Sequence, residues 1–399
     1  MFSGSALGDV DNRLGLNTPE HDALLLFYTC AGDTSGLSAG KPFTQCLAYS
    51  VDGGATFQKH ARNPLIPQMT PGNRDPKVIP APGGGHVMSL YLEKNQYALL
   101  TSDNLLDWTL QQTLDLPEDT ECPDFYPLMP TPVPDVPTPV PDVPTSAPDV
   151  PAAPADADRQ TPRWILSGAA DRYLIGAFDG HAFVPEGTPG RLHWGAHAYA
   201  AQSWADVPAS DGRRLRISWN TADIPGTAFN RSMTTPCEMT LQPRAHGPVL
   251  CIWPIREFES LRLQTTEVPA ATLTPDAPLR LPLAVAPYDI ACSLSWDVET
   301  TMVSLSLFGA TLTLDPQARE LRFLGATAPL PLTDHILSLR LIVDRHAMEL
   351  YLDNGSAWLS QGHCLDANLA RLEVQAEGGG ATVSNLSLSP LRSIWEADA

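Results

Sequence analysis

The sequence is short of positive charge: 25 Lys and Arg stand against 45 Asp and Glu in 399 residues, a formal net charge of −20. Such a chain repels phosphate backbones and anionic lipid at long range, which argues against nucleic acid and membrane partners. No apolar run reaches the length of a bilayer span, and Met1 to Asn12 lack the basic start and apolar stretch of an export signal. The residues by themselves assign no cellular location. The seven cysteines (Cys30, Cys46, Cys122, Cys237, Cys251, Cys292 and Cys364) are odd in number, scattered and free of Cys-x-x-Cys spacing. Neither a disulfide framework nor a thiolate metal site is expected from them. Sustained helical periodicity is also missing.

What is present is β-structure. From Met1 to about Arg262 short apolar runs such as Ala23 to Tyr28, Val87 to Leu92 and Leu215 to Trp219 are broken by Gly, Asp, Asn and Pro. Ser50-Val51-Asp52-Gly53-Gly54-Ala55-Thr56-Phe57 and the looser Thr101 to Trp108 each set a small polar turn before an aromatic, a device suited to propeller blades. After Arg262 the alternating runs lengthen, as in Leu337 to Val343 and in Met348 to Tyr351, which ends in the hairpin signal Asp353-Asn354-Gly355. The division expected is residues 1–262 and a β-sandwich over 263–399. At about 129–162 proline recurs so often that amide donors are lost, and a solvated, semi-rigid insertion is expected.

Two constellations could carry chemistry. In Arg74-Asp75-Pro76-Lys77 the proline disfavours helix at the carboxylate, and Glu121-Cys122-Pro123-Asp124 supplies a second carboxylate. Glycoside hydrolysis typically needs two carboxyl groups about the scissile bond, one of them an acid whose pKa a neighbouring carboxylate or apolar wall would raise. Without further context both residues read as surface or capping carboxylates. Gly83 to Gly85 and Gly378 to Gly380 read as hairpin turns, and His193 and His197, flanking Trp194, as hydrogen-bonded structural residues.

The order Arg-Asp-Pro then Glu-Cys-Pro resembles successive signatures of glycoside hydrolase family 32, the β-fructofuranosidase, levanase, inulinase and invertase family. Phe2-Ser3-Gly4-Ser5, Gln45 to Ser50 with Asn63-Pro64, Trp164 to Gly180, Tyr199 to Trp204, Arg214 to Trp219, Met233 to Glu238, Val343-Asp344-Arg345 and Leu391 to Trp395 extend the likeness. The resemblance implies an all-β chain, a five-bladed β-propeller followed by a C-terminal β-sandwich, acting on terminal β-fructosyl linkages of fructans or sucrose with retention and no cofactor or metal. It implies Glu121 as general acid/base, Asp75 as transition-state stabiliser, Arg74, Phe2 and Ser3 around the fructosyl ring, and Cys122 beside the acid. Trp219 is a candidate stacking surface for sugar. The family's early Trp-Met-Asn-Asp-Pro-Asn-Gly-like segment with the nucleophilic aspartate has no counterpart here. The expectation is therefore a first blade largely missing, the nucleophile absent and the chain inactive. A noncatalytic fructan-binding protein and a fructosyltransferase are the alternatives.

Overall fold

The computed structural model describes residues 1–131, 161–208, 210–228, 230–244, 247–331 and 336–395. Its regular structure is β throughout, with only short 3₁₀ turns such as Arg256–Leu261 among the described residues. Among the described residues thirty strands form six antiparallel sheets.

The first four sheets follow one another along the chain. Sheet one holds β1 (Gly4–Gly8), β2 (Leu24–Cys30), β3 (Thr44–Ser50) and β4 (Gln58–Lys59), and sheet two β5 (Arg74–Pro80), β6 (His86–Tyr91), β7 (Gln96–Ser102) and β8 (Thr109–Asp115). Sheet three holds β9 (Asp124–Leu128), β10 (Arg163–Ser167), β11 (Arg172–Phe178) and β12 (Phe183–Arg191). Sheet four is built from β13 (Tyr199–Ser203), β14 (Arg214–Asn220), β16 (Cys237–Gln242) and β17 (Val249–Pro254), with the short β15 (Ser232–Met233) beside β14. The first strands meet in succession, β1 on β5, β5 on β9 and β9 on β13, so they line a common axis while later strands lie outward. This is propeller geometry.

The polar turns do what their residues suggest. After β3, Ser50 Oγ donates to Asp52 at 2.7 Å, and Asp52 accepts from the Thr56 amide at 2.9 Å. After β7, Asn104 plays the same part for the amides of Leu106 and Asp107, while the Trp108 indole donates to Leu105 O. A third, unanticipated copy follows β11, where Asp179 accepts from His181 and Ala182 just ahead of Phe183. Of the proline-rich stretch, residues 132–160 lie outside the described residues. Its flanks are register partners, Leu128 opposite Arg163, so it enters and leaves the fold at one place.

Two further sheets form the sandwich. One runs β18 (Thr266–Val268), β30 (Ala381–Pro390), β21 (Tyr288–Trp296), β26 (Ile336–Val343), β27 (Ala347–Leu352) and β28 (Ala357–Gly362), with β19 (Ala271–Leu273) also on β30. The other runs β20 (Leu279–Pro282), β29 (Arg371–Glu377), β22 (Met302–Leu307), β23 (Ala310–Asp315), β24 (Glu320–Phe323) and β25 (Ala326–Pro329). The hairpin at Asp353-Asn354-Gly355 joins β27 to β28 with all three residues at positive φ.

Period-2 alternation explains why β26 to β28 are apolar on both faces. Leu341, Leu350 and Leu359 enter the sandwich core, while their neighbours Ile342, Tyr351 and Trp358 join the core of sheets two to four. Polar groups at this junction are paired: Arg340 reaches both carboxylate oxygens of Asp289 at 2.8 and 2.9 Å. His193 accepts from the Ser360 amide and His197 from the Gly362 amide, the structural roles expected of them.

Candidate active site

The N-terminal ends of β1, β5 and β9 open into one cavity of about 420 Å³, lined by Met1, Phe2, Ser3, Arg74, Asp75, Glu121 and Cys122. Residues separated by more than a hundred positions meet because each opens the first strand of its sheet. Local backbone geometry turns the side chains inward. Asp75 adopts φ 61° at a register shift between Arg74 and Lys77, and Glu121 and Cys122 adopt φ 54° and 41° just before β9. Left-handed backbone is uncommon outside glycine and clusters at functional sites.

Neighbouring sheets hold these conformations. The Asp75 amide donates to Thr29 Oγ1 at 3.0 Å, Thr29 Oγ1 donates to Gln45 Oε1 at 2.7 Å, and Gln45 Nε2 donates to Asn73 O at 3.0 Å. Phe2 continues β1 by donating its amide to Thr29 O at 2.9 Å, and its ring meets Phe43 edge-on. Deeper on the axis, Lys77 lies 3.3 Å from Asp124 and donates to Ser203 O, tying sheets two, three and four together.

Arg74 is the centre of the charged cluster. Its guanidinium donates to Gly72 O at 2.7 Å, lies over the Tyr91 ring at 4.5 Å, stands 3.7 Å from Asp75 and is ion-paired to Glu121 Oε1. The other Glu121 oxygen accepts from Tyr199 Oη at 2.5 Å. Burial pushes the Glu121 pKa up, but the Tyr199 hydrogen bond and Arg74 outweigh it, and the net shift is downward. The expectation of a raised pKa is thus corrected: the Tyr199 hydroxyl and the Arg74 cation prevail over burial at this group.

Burial keeps Asp75, 8% exposed, above the usual carboxylate range despite the Cys122 amide and Arg74. Cys122 sits beside Glu121 in sequence, but its amide and thiol approach Asp75 Oδ2, at 3.2 and 3.6 Å. Burial, followed by the charge of Asp75, pushes the Cys122 thiol up.

Trp219 does not line the cavity. It pairs across strands with Tyr199, is 38% exposed, and stacks under the Arg231 guanidinium at 4.8 Å. Asp9 and Asp11 lie elsewhere, Asp9 accepting from the amides of Arg13 and Leu14 and Asp11 paired with Arg13.

Two residues of this region carried no site assignment from sequence. Tyr199 opens its sheet as Arg74 and Glu121 open theirs, a positional signal visible only once the blades are counted. Asp119, two residues before Glu121, is buried and accepts from the amides of Thr120, Ala170 and Arg172 at 2.7, 2.9 and 2.8 Å, yet burial still raises its pKa to about 6. Among the described residues no group of three or more His, Cys, Asp or Glu is arranged to hold a metal ion.

Fold and cavity together define an all-β propeller-and-sandwich protein with paired carboxylates at the propeller axis. The chain belongs to glycosyl hydrolase family 32: the profile of the family's N-terminal domain matches residues 1–254 and that of its C-terminal domain residues 298–390. Levanase of Bacillus subtilis (strain 168) is 27% identical over 445 residues, covering 99% of this chain and 61% of the relative. An extracellular exo-inulinase of Meyerozyma guilliermondii is 28% identical over 261 residues, covering 62% of this chain and 46% of the relative. The chain thus spans between about half and three fifths of the length of these curated relatives. The exo-inulinase structure from Aspergillus awamori superposes with a TM-score of 0.78 at 20% identity, covering 99% of this chain and 84% of that one. The structure of fructan 1-exohydrolase IIa from Cichorium intybus gives 0.70 at 17% identity, covering 94% and 82%.

Proposed function

We propose that this chain forms the fructosyl-binding and proton-donating part of a retaining β-fructosidase directed at terminal β-fructosyl linkages of fructans or sucrose. The observation that carries this reading is the convergence of Glu121 and Asp75 on one cavity with Arg74 between them. Family membership, and relatives named levanase and exo-inulinase, support the substrate class.

In this reading Glu121 gives its proton to the leaving glycosidic oxygen and later takes one from water. Asp75 holds ring hydroxyls while positive charge develops on the fructosyl carbon, and Arg74, Phe2, Ser3 and Cys122 border the ring. Trp219, outside the cavity but cross-strand from Tyr199, offers an exposed face to the leaving-group sugar. A proton donor must be protonated, so substrate hydroxyls have to draw Arg74 away from Glu121. Burial, the largest influence on that carboxyl, then raises its pKa.

The carboxylate nucleophile is assigned to no residue of this chain. The cavity lining contains two carboxylates, already given other roles, and Asp9 and Asp11 are engaged in their own turn. A second reading is a noncatalytic fructan-binding protein, in which Glu121, ion-paired to Arg74, serves only as a ligand contact.

The test combines calorimetric titration with fructose and short levan or inulin oligosaccharides and an assay of fructose release from sucrose, inulin and levan. Binding without release is expected from the chain alone, weakened about tenfold or more by Asp75→Asn and Arg74→Gln. Release that Glu121→Gln abolishes would keep the acid role and overturn the statement about the nucleophile. Failure of the folded chain to bind any fructoside would overturn both readings.

A further inference from the structure

A second cavity, of about 360 Å³, lies on the sandwich and is lined by Val285, Ala286, Pro287, Arg345, His346, Cys364 and Leu365. It brings together a thiol, an imidazole and a guanidinium that the propeller-axis site does not use. Cys364 Sγ and His346 Nδ1 stand 3.6 Å apart, hydrogen-bond distance for sulfur. Two backbone bonds fix the pair across the cavity floor: the His363 amide donates to His346 O at 3.2 Å and the Leu365 amide to Arg345 O at 3.3 Å. His363 itself is turned away onto Phe308 O at 2.8 Å. Arg345 is exposed, and among the described residues no carboxylate lies within ion-pair distance of its guanidinium. Seven cysteines are free, and only Cys30 and Cys364 are exposed.

From this geometry we propose that Cys364 is a site of reversible thiolation by small disulfides bearing carboxylate groups. With the ring hydrogen on Nε2, His346 Nδ1 accepts the thiol proton and Cys364 attacks one sulfur of the incoming disulfide. The incoming S–S bond breaks as the new one forms, and the expelled thiolate takes the proton back from the imidazolium. The disulfide is the oxidant, and one thiol leaves for each mixed disulfide made. Arg345 pairs with the ligand's carboxylate, and the apolar walls from Val285 to Pro287 and Leu365 cover its carbon chain.

The chain incubated with oxidised glutathione at about pH 7.5, quenched at intervals and mapped by peptide mass spectrometry, tests this. Cys364 is expected to form its glutathione adduct about five- to tenfold faster than the thiol of Cys30, a hydrogen-bond neighbour of Cys46, is consumed, whether as adduct or as a disulfide with Cys46. His346→Gln should slow Cys364 several-fold and leave Cys30 unchanged, while the buried Cys292 of the same sandwich stays unmodified and so reports that the variant is folded. Arg345→Gln should remove the preference for oxidised glutathione over uncharged bis(2-hydroxyethyl) disulfide. Consumption of Cys364 no faster than Cys30, or a rate indifferent to His346→Gln, overturns the site; an unaltered preference in Arg345→Gln overturns the carboxylate part.

Discussion

Asp119→Asn should cost stability in acid and little or none near neutrality. The wild-type carboxylate accepts three backbone amides, Thr120 and Ala170 on one oxygen and Arg172 on the other, and holds the loop that presents Glu121. In acid Asp119 is protonated, yet its hydroxyl oxygen still offers a lone pair to the third N–H; an asparagine turns an amide group there instead, so one buried donor loses its partner at a cost of about 1–3 kcal/mol. Against this stands the wild-type titration. Burial raises the Asp119 pKa from the ordinary 3.8 to about 6, so the folded protein keeps a proton that the unfolded chain releases. The resulting stabilisation is complete below about pH 4 and is lost as the pH rises through about 6; it amounts to roughly 3 kcal/mol at 1.36 kcal/mol per pKa unit. The variant does not titrate there. Urea unfolding of the two proteins, followed by tryptophan fluorescence between about pH 4 and 8, should show wild type ahead at the acid end and the gap closing or reversing above pH 6. Hydrogen exchange at Ala170 and Arg172 should quicken in the variant. A stability difference that does not change with pH would refute the reasoning.

Fructoside binding should draw a proton onto Glu121 as Arg74 turns to the sugar. Titrations in buffers of different ionisation enthalpy should show net proton uptake above the free-state pKa of Glu121, and Glu121→Gln should abolish it. Gly168→Ala should lower the unfolding temperature sharply, because an added Cβ would lie 2.4 Å from Tyr97 Oη and 2.5 Å from Asp119 Oδ1; the cost expected from such overpacking is about 1–3 kcal/mol, read by thermal unfolding.

Much of the β-architecture is local and therefore legible without coordinates. Alternation at Leu337 to Val343 corresponds to β26, and Asp353-Asn354-Gly355 makes its hairpin because these residues tolerate positive φ. The Ser50–Phe57 turn follows from short-range bonds between Asp52 and its neighbours, whereas its degenerate copy at Asp179 needed the strands around it to be seen. Motif order pointed to Arg74, Asp75 and Glu121, which the fold brings to one cavity. Sequence could not reach the charge state of the site. The downward shift of Glu121 depends on Tyr199, from another sheet, and on Arg74, whose guanidinium is aimed by Gly72 and Tyr91.

Residue types and their spacing by themselves determined that this chain makes short antiparallel strands, and which carboxylates are candidates for chemistry. Periodicity and turn propensity act over a few residues and are written directly in the chain. Only the tertiary structure decided that the first strand of each of the four sheets faces one axis, that Cys122 serves Asp75, that Trp219 stands outside the cavity, and that Cys364 meets His346. Those contacts join distant positions, and a few ångströms of placement fix both proton affinity and reach.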